Sequence, residues 1–377
     1  MRTKVLHLIT ELVVGGAQDN TLTTVAGLDR ERYEVHVAAA PGGEWVEWAG
    51  RAADHVHLLS NMKREISPVH DAAILRDLFR LYRREGYDIV HTHSSKAGVV
   101  GRVAARAASV PIIIHTVHGL PWHDGMPAPR RRFYETLERL ASRCSTRIIT
   151  VAETNRQELI ARGIVDAATT ETIYSGIIMD RFQGLADRAR GRRALGLDPG
   201  APLVGYVARL SEQKAPLDFV AAARLVRREL PAAQFVMVGG GPLLDDVRAA
   251  TRDEPAFHVL GQRDDVPDLL PLFDVFALSS LFEGVGRALT EALAVGLPAA
   301  ATRVDGVPEI IHHEKTGLLS PPRRPDLLAA NILRLLRNPE WARQLGRAGQ
   351  AFVTPLFDSH LMVQRIDRMY QDCLTRL

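Results

Sequence analysis

Two carboxylates, Glu283 and Glu291, stand eight residues apart in the segment SSLFEGVGRALTEALA, residues 279–294. An apolar run ends near Leu278, Gly284 and Gly286 interrupt the chain, and a helix is predicted from about Gly286–Arg287, with Glu291 in its second turn. A helix N-terminus offers unpaired N–H groups and the positive end of its dipole, and both suit a diphosphate. Glycine lets such a backbone approach a ligand closely. Gly284, Val285, Gly286 and Arg287 are therefore candidate phosphate contacts. A carboxylate just before the helix can face a reacting centre, and one a turn inside can reach a ribose. Alone, the pair reads more simply as a helix cap and a solvated side chain.

Other segments change that balance. In VARLSEQKAP, residues 207–216, Arg209 follows an apolar run and Lys214 comes five residues later. Arg can grip a phosphate by its fork and Lys as a point charge. In VGGGP, residues 238–242, three glycines including Gly240 mark a tight turn that could lie over a nucleotide. It is not a dinucleotide fingerprint, because Leu244 stands where the third glycine belongs, and no Gly-Lys-Ser/Thr forms a P-loop. In TELVVGGA, residues 10–17, Gly15 and Gly16 could bring a loop to a phosphate or simply turn the chain. His91, His93, His115, His118 and His123 cluster in HTHSSKAG and HTVHGLPWH, where Ser94, Ser95 and Lys96 could hold an anionic group. No recognised zinc spacing such as H-E-x-x-H is present. One or two of the histidines are expected to offer hydrogen bonds to a ligand, the others to be core or surface.

Elements must bring these segments together. Lys4–Ile9, Glu34–Ala39, His55–Leu59, Asp88–Thr92, Ile112–Thr116 and Arg147–Val151 read as strands, several apolar throughout, as in a parallel sheet buried on both faces. The plan repeats at Leu203–Val207, Gln234–Val238, His258–Leu260, Val275–Leu278 and Ala299–Thr302. Helical stretches lie between, such as Ala72–Arg84 with Ile74, Leu75, Leu78, Leu81 and Tyr82 on one face. This alternation predicts an α/β protein of two doubly wound domains. Its length, 377 residues, fits two domains at about 100–200 residues each. The boundary is expected between Ser175 and Pro202, giving domains 1–185 and 200–355, with an amphipathic tail helix over about 356–377 that can pack back on the first. In open sheets ligands bind beyond the carboxyl ends of strands, so two facing domains would form a cleft.

Composition narrows the class. With 47 basic against 44 acidic residues the chain is too balanced to argue for nucleic acid, and phosphate recognition must be local. No apolar run reaches the roughly 18 residues of a membrane span, and the start MRTKVLHLIT meets Glu11 too soon for a signal peptide. A cytoplasmic protein is expected. Cys144 and Cys373 fit neither a metal nor a redox spacing.

These segments, in their order along nearly the whole chain, resemble the family-4 type of retaining glycosyltransferases. The signatures are GGA at 15–17, HTHSSKAG at 91–98, HTVHG at 115–119, ARLSEQK at 208–214, VGGGP at 238–242, GQRDDVPDLL at 261–270 and FEGVGRALTEALA at 282–294. The spacing of Glu283 and Glu291 after Arg209 and Lys214 is the most specific. The wording of GGAQDNTL, HSSKAG and HTVHGLPWH is similar to bacterial members that build surface or exopolysaccharide glycans.

The resemblance implies the GT-B fold: an acceptor-binding N-terminal domain and a nucleotide-sugar-binding C-terminal domain facing a cleft. It implies that Arg209 and Lys214 neutralise the donor diphosphate and that Glu291 accepts from the ribose hydroxyls. Glu283, with backbone amides near Gly284–Arg287, would hold the transferred sugar. His118 would face the sugar and acceptor, with His93, Ser94 and Lys96 on the acceptor side. Gly15, Gly16 and Gly240 would sit by the donor, and Arg263 by the base. The nucleotide sugar is a substrate, UDP favoured over GDP. No cofactor and no metal are expected, because cations and a helix dipole do that work. The product would be an α-glycosidic bond on a glycan or polyprenyl-linked acceptor. Same-face attack, or a Glu283 nucleophile with a second carboxyl about 5 Å away, could keep the configuration. Two residues depart from the family pattern: Arg287, where an apolar or small residue is commoner, and Gln213, where an acidic one is.

The segment PAPRRRFYETLERLASR, residues 127–143, puts Phe133, Leu137 and Leu140 on one face amid Arg130, Arg131, Arg132, Arg139 and Arg143. Such a helix could lie at the inner face of an anionic membrane near a polyprenyl-linked sugar. Glu135 and Glu138 favour an ordinary helix packed on the sheet. Two other functions share the fold: a nucleotide-sugar 2-epimerase and a non-catalytic sugar-nucleotide-binding module. The first needs acids and histidines set for proton transfer. The second leaves Arg209, Lys214 and Glu283 unexplained.

Overall fold

Apolar runs that must hide both faces pair in parallel, and the first half of the chain does so. The computed structural model describes residues 2–65, 67–123, 125–182 and 187–377. β1 (Thr3–Leu8), β2 (Tyr33–Ala39), β3 (His55–Leu58), β4 (Ile89–His93), β5 (Ile112–Val117), β6 (Arg147–Thr150) and β7 (Thr170–Thr172) pair in the order β3-β2-β1-β4-β5-β6-β7, all parallel. Parallel neighbours need crossovers. These are α1 (Gly16–Gly27), α2 (Val46–Ala52), α3 (Pro68–Glu85), α4 (Ser95–Ala107), α5 (Ala128–Ser142) and α6 (Glu153–Ala161).

After α7 (Arg188–Ala194) comes a second parallel sheet of β8 (Leu203–Val207), β9 (Gln234–Val238), β10 (Phe257–Gly261), β11 (Val275–Leu278), β12 (Ala299–Thr302) and β13 (Leu318–Ser320). Its order is β10-β9-β8-β11-β12-β13. The crossovers are α8 (Pro216–Glu229), α9 (Leu244–Thr251), α10 (Val266–Leu269), α11 (Arg287–Ala294) and α12 (Val307–Ile310). Then come α13 (Pro325–Arg337), α14 (Pro339–Val353) and α15 (Ser359–Leu374). Each sheet reverses its order of strand addition once, between β1 and β4 and between β8 and β11. Ligand sites of doubly wound folds lie beyond the strand ends at such a switch point.

The first unit comprises Met1–Gly176 and Ser359–Leu377, and the second Ile177–Asp358. Strand side chains alternate between faces, so β1 and β5 feed two cores. Val5, Ile9, Ile112 and Ile114 pack with Leu22 and Val25 of α1 and with Met362, Ile366, Met369 and Tyr370 of α15. Leu6, Leu8 and Ile113 pack with Leu78 of α3 and Ala97, Val100 and Ala104 of α4. The tail helix thus belongs to the first unit.

The division at Gly176–Ile177 lies at the start of the Ser175–Pro202 stretch expected from sequence, part of which falls outside the described residues. α7 is held in the second unit rather than hanging as a linker: Arg192 donates from Nη2 to Asp274 Oδ2 at 2.8 Å and from Nε to the Leu272 carbonyl at 2.9 Å. α5 is pinned from its inner side, where the fully buried Arg102 donates to Glu138 Oε1 at 2.8 Å. Its outer side leaves Phe133 48% and Leu140 54% exposed. Arg130, Arg132 and Arg143 are exposed as well. Among the described residues no helix is long and apolar enough to cross a membrane.

Candidate active site

The switch point of the second sheet gathers the loops after β8 and β11. They are fastened to each other before any ligand is considered. The Leu281 N–H donates to the Gln213 carbonyl at 2.7 Å, and Gln213 Nε2 donates to the Phe282 carbonyl at 2.9 Å. The buried Tyr206 hydroxyl donates to the Lys214 carbonyl at 2.8 Å, and Ser279 Oγ lies 2.8 Å from the Ala215 carbonyl. Burial pushes the Tyr206 phenol up, so it stays a donor.

This stitching presents the Lys214 ammonium to Glu283 Oε1 as an ion pair. The same oxygen accepts from Ser280 Oγ at 2.7 Å, and the Glu283 N–H donates to Asp305 Oδ2 at 2.6 Å. The Glu283 side chain is 5% exposed and that of Lys214 19%. Among the described residues both side-chain bonds fall on Oε1, which leaves Oε2 to accept from a ligand. An ammonium has three donors, so Lys214 keeps capacity for a phosphate beside Glu283.

Glycine geometry sets the neighbouring loop. Gly239 has φ +143°, and a Cβ there would stand 1.9 Å from the Ala208 carbonyl oxygen. Gly241, at φ +141°, would put one 2.5 Å from the Leu210 carbonyl oxygen. The VGGGP turn therefore lies flat against the backbone that carries Arg209, joined to it by the Leu210 N–H to the Gly240 carbonyl at 2.8 Å. Arg209 is exposed, and its guanidinium makes no hydrogen bond among the described residues.

α11 starts after Gly286, whose φ of +91° turns the loop so that the helix N-terminus follows directly. Arg287 Nε donates to Glu291 Oε1 at 3.0 Å, one turn along. The family departure at 287 thus reaches its own helix's carboxylate. Arg263 is exposed and forks onto Asp265. That bond raises the guanidinium and lowers the carboxyl.

In the first unit Gly15 caps α1, which starts at Gly16. Ser94, before α4, has φ +60°, a conformation rare for a non-glycine residue. Its hydroxyl is 2.7 Å from that of Thr10, across the β1–β4 switch point. Lys96 is tied to Asp71 and the Glu65 carbonyl, on the α3 side. His93 has no exposed surface. Its ring stands behind His118, with Nδ1 3.1 Å from His118 Nε2. A direct acceptor contact from His93, expected from sequence, is replaced by contact with His118. His118 is partly exposed, and desolvation pushes its pKa down to about 4. His115 is buried on the opposite face, where a Cβ at Gly98 would meet its ring at 2.4 Å.

The structure therefore groups Lys214, Glu283, Arg209, Gly240 and the start of α11 at one switch point, and His118, His93 and Ser94 at the other. It also shows residues that the motif reading passed over. Asp305, Ser280 and Tyr206 position Glu283 and Lys214 from three different strand ends. His7 on β1, paired in register with His91, joins the histidines. The signal for His7 was available: it alternates with Val5 and Ile9, as His91 and His93 do with Ile89.

Comparison with known proteins gives the family and the fold. The family model for "Glycosyl transferase 4-like domain" matches residues 15–176, and that for "Glycosyl transferases group 1" matches residues 201–338. The chain is 30% identical over 325 residues, 84% of each chain, to the Escherichia coli UDP-Gal:alpha-D-GlcNAc-diphosphoundecaprenol alpha-1,3-galactosyltransferase. It is 31% identical over 265 residues, 66% of this chain and 67% of the other, to a Mycobacterium tuberculosis GDP-mannose-dependent alpha-(1-6)-phosphatidylinositol monomannoside mannosyltransferase. Among solved structures, sucrose-phosphate synthase from Thermosynechococcus elongatus aligns over 100% of both chains with a TM-score of 0.85 at 21% identity. Anabaena HepE in complex with UDP and glucose aligns over 98% of this chain and all of that one, with a TM-score of 0.84 at 21% identity. Two parallel-sheet Rossmann-like units, both family models and these relatives lead to one assignment: the chain belongs to the group 1, family-4-type glycosyltransferases of the GT-B fold.

Proposed function

We propose that the enzyme moves a sugar from a nucleotide diphosphate donor, UDP in preference to GDP, to a glycan or polyprenyl-linked acceptor. The α configuration of the donor is retained, no metal takes part, and the product serves cell-surface polysaccharide. The observation that carries this reading is the Lys214–Glu283 pair at the β8–β11 switch point. It sets a phosphate-seeking cation beside a sugar-seeking carboxylate. The named substrates of the Escherichia coli relative support a UDP-sugar and a polyprenyl diphosphate.

Departure of a nucleoside diphosphate builds negative charge on the β-phosphate and positive charge on the sugar ring. Lys214, Arg209 and the first N–H groups of α11, after Gly284, Val285 and Gly286, meet that negative charge. Gly15, Gly16 and Gly240 leave room for the phosphates, and Arg263 serves the base. Glu283 Oε2 accepts from a sugar hydroxyl. Glu291, steadied by Arg287, accepts from the ribose. His118 serves the transferred sugar and the acceptor. The bond from C1 to the β-phosphate oxygen breaks as the acceptor oxygen bonds C1 on the same face. The acceptor proton passes to the departing phosphate. Glu283, with Lys214 and Ser280 already on one oxygen, is a positioning carboxylate here and not a nucleophile.

The acceptor side works at the inner face of an anionic membrane. The exposed Phe133 and Leu140, with Arg130, Arg132 and Arg143, suit that surface.

The test incubates the enzyme with a panel of nucleotide sugars and lipid-diphosphate acceptors. Acceptor-dependent release of UDP, an α anomeric proton in the product and full turnover in EDTA are expected. An epimerised donor without release would overturn the transferase reading, and loss of turnover in EDTA the metal-free one. A thermal-shift screen reads the base, since the preferred nucleotide raises the melting temperature by mass action.

A further inference from the structure

We propose that Tyr370, His7 and His93 are positioning residues that hold His118 in one tautomer, Nε2 protonated and Nδ1 bare, so that Nδ1 accepts a hydrogen bond from a substrate hydroxyl. The substrate contact rests on the function proposed above; the tautomer does not.

The argument starts from strand alternation. His7 of β1 is in register with His91 of β4, and His93 with Thr116 of β5. In parallel strands registered residues share a face, and so do residues two apart. His7, His91, His93 and Thr116 therefore line one face, and His118 continues it just past the end of β5. That face is covered by α15, which brings Tyr370. The result is a chain of contacts: Tyr370 Oη to His7 Nε2 at 3.4 Å, His7 Nδ1 to His93 Nε2 at 3.0 Å, and His93 Nδ1 to His118 Nε2 at 3.1 Å. A branch runs from Tyr370 Oη to His91 Nδ1 at 2.6 Å, and from His91 Nε2 to Thr116 Oγ1 at 2.7 Å.

Desolvation pushes His7 down to about 3, His118 to about 4, and His91 and His93 well below the usual imidazole range. Each ring is thus neutral, with one donor and one acceptor nitrogen. A chain of such rings has only two consistent directions, and one end decides. The Tyr370–His91 contact at 2.6 Å falls in the range for O–H donors and below that for N–H donors. The phenol therefore donates to His91, and its oxygen accepts from His7 Nε2–H. His7 Nδ1 then accepts from His93 Nε2–H, and His93 Nδ1 accepts from His118 Nε2–H. His118 Nδ1 is left as the nitrogen without a protein partner among the described residues.

A metal is the competing use of this cluster, since His7, His91 and His93 bring ring nitrogens within 4.8 Å of one another. All six nitrogens of those rings already have hydrogen-bond partners, so a metal would have to break the chain.

The full chain labelled with 15N-histidine tests this. The wild-type His118 ring, assigned with His118→Asn, is expected to show an Nε2–H donor and a bare Nδ1. Tyr370→Phe and His93→Leu should convert it to an average of two tautomers and lower kcat about 10-fold with little change in donor KM. His93→Gln, whose amide can accept from His118 and donate to His7, should restore both. Should His93→Leu fail to fold, Tyr370→Phe, which removes one oxygen, decides. An Nδ1–H form in the wild type, an unchanged His118 in Tyr370→Phe, or one equivalent of zinc in the purified protein overturns the assignment. The expected ring pattern without turnover of any nucleotide sugar leaves the tautomer standing and removes the transferase reading instead.

Discussion

Removing the Lys214 ammonium while keeping its stem, as in Lys214→Met, isolates the pair at the second switch point. Glu283 is 5% exposed, so its carboxylate would be left nearly dry. Breaking one side of a buried ion pair costs about 3–5 kcal/mol. Two features reduce that here. Lys214 is 19% exposed, which lets water reach the gap, and Ser280 keeps its 2.7 Å bond to Oε1. About 2 kcal/mol is expected, a fall of roughly 4–8 °C in the melting of the second unit. Glu283→Gln leaves an amide oxygen for Lys214 and should cost about 1 kcal/mol. The double variant should cost less than the sum, with a coupling of about 1–2 kcal/mol. Turnover answers a different question. A preorganised donor to a developing oxyanion is worth about 100- to 1,000-fold in kcat. Scanning calorimetry and acceptor-dependent UDP release on the four proteins separate the two effects. Additive stabilities would refute the pairing. Turnover of Lys214→Met within threefold of wild type would refute the phosphate role.

Three further outcomes follow from the same geometry. Gly239→Ala should destabilise the second unit by about 2–4 kcal/mol, through a positive φ and a clash with the Ala208 carbonyl, and weaken UDP binding through Arg209; an unchanged melting temperature contradicts the close approach. Phe133→Asp with Leu140→Asp should abolish flotation with phosphatidylglycerol vesicles without altering folding, and binding should weaken with salt as expected for arginines near an anionic surface; wild-type protein that ignores such vesicles removes the membrane reading. The buried histidines link stability to pH. Their folded pKa values lie below the unfolded value, so the unfolded chain binds more protons between about 6.5 and 3, and stability is full above that window and falls as pH drops through it. Urea midpoints at pH 7, 6 and 5 should decline in that order, and a flat series would contradict neutral burial.

The fold was legible where physics leaves a periodic mark. Four of the second unit's strands coincide end to end with their apolar runs, since a strand buried on both faces has no polar position to blur it. β7, Thr170–Thr172, and β13, Leu318–Ser320, left no such mark because three residues at a sheet edge carry no pattern. The arginine-rich stretch around α7 reads as part of the domain boundary because its anchor, Asp274, lies more than seventy residues away. Of the proposed donor residues, each was visible as a type at a strand end. The contact between Lys214 and Glu283 was not, because it depends on β8 and β11 being neighbours, a property of strand order rather than of either segment. His93 and Lys96 show the converse. Their motif was plain, but their directions were set by the sheet face and by Asp71 of α3.

The C-terminal helix carries a consequence for biogenesis. α15 completes the apolar face of the first sheet and supplies Tyr370. It is translated only after the whole second unit. A nascent first unit therefore waits on the ribosome with Val5, Ile9, Leu22 and Ile112 uncovered, for the time needed to make nearly two hundred further residues. Contacts of such long sequence separation form late, and exposed apolar surface in that interval invites chaperones. Premature termination anywhere in the second unit would leave the first one unsealed, which makes truncated transcripts a source of aggregation rather than of partial activity.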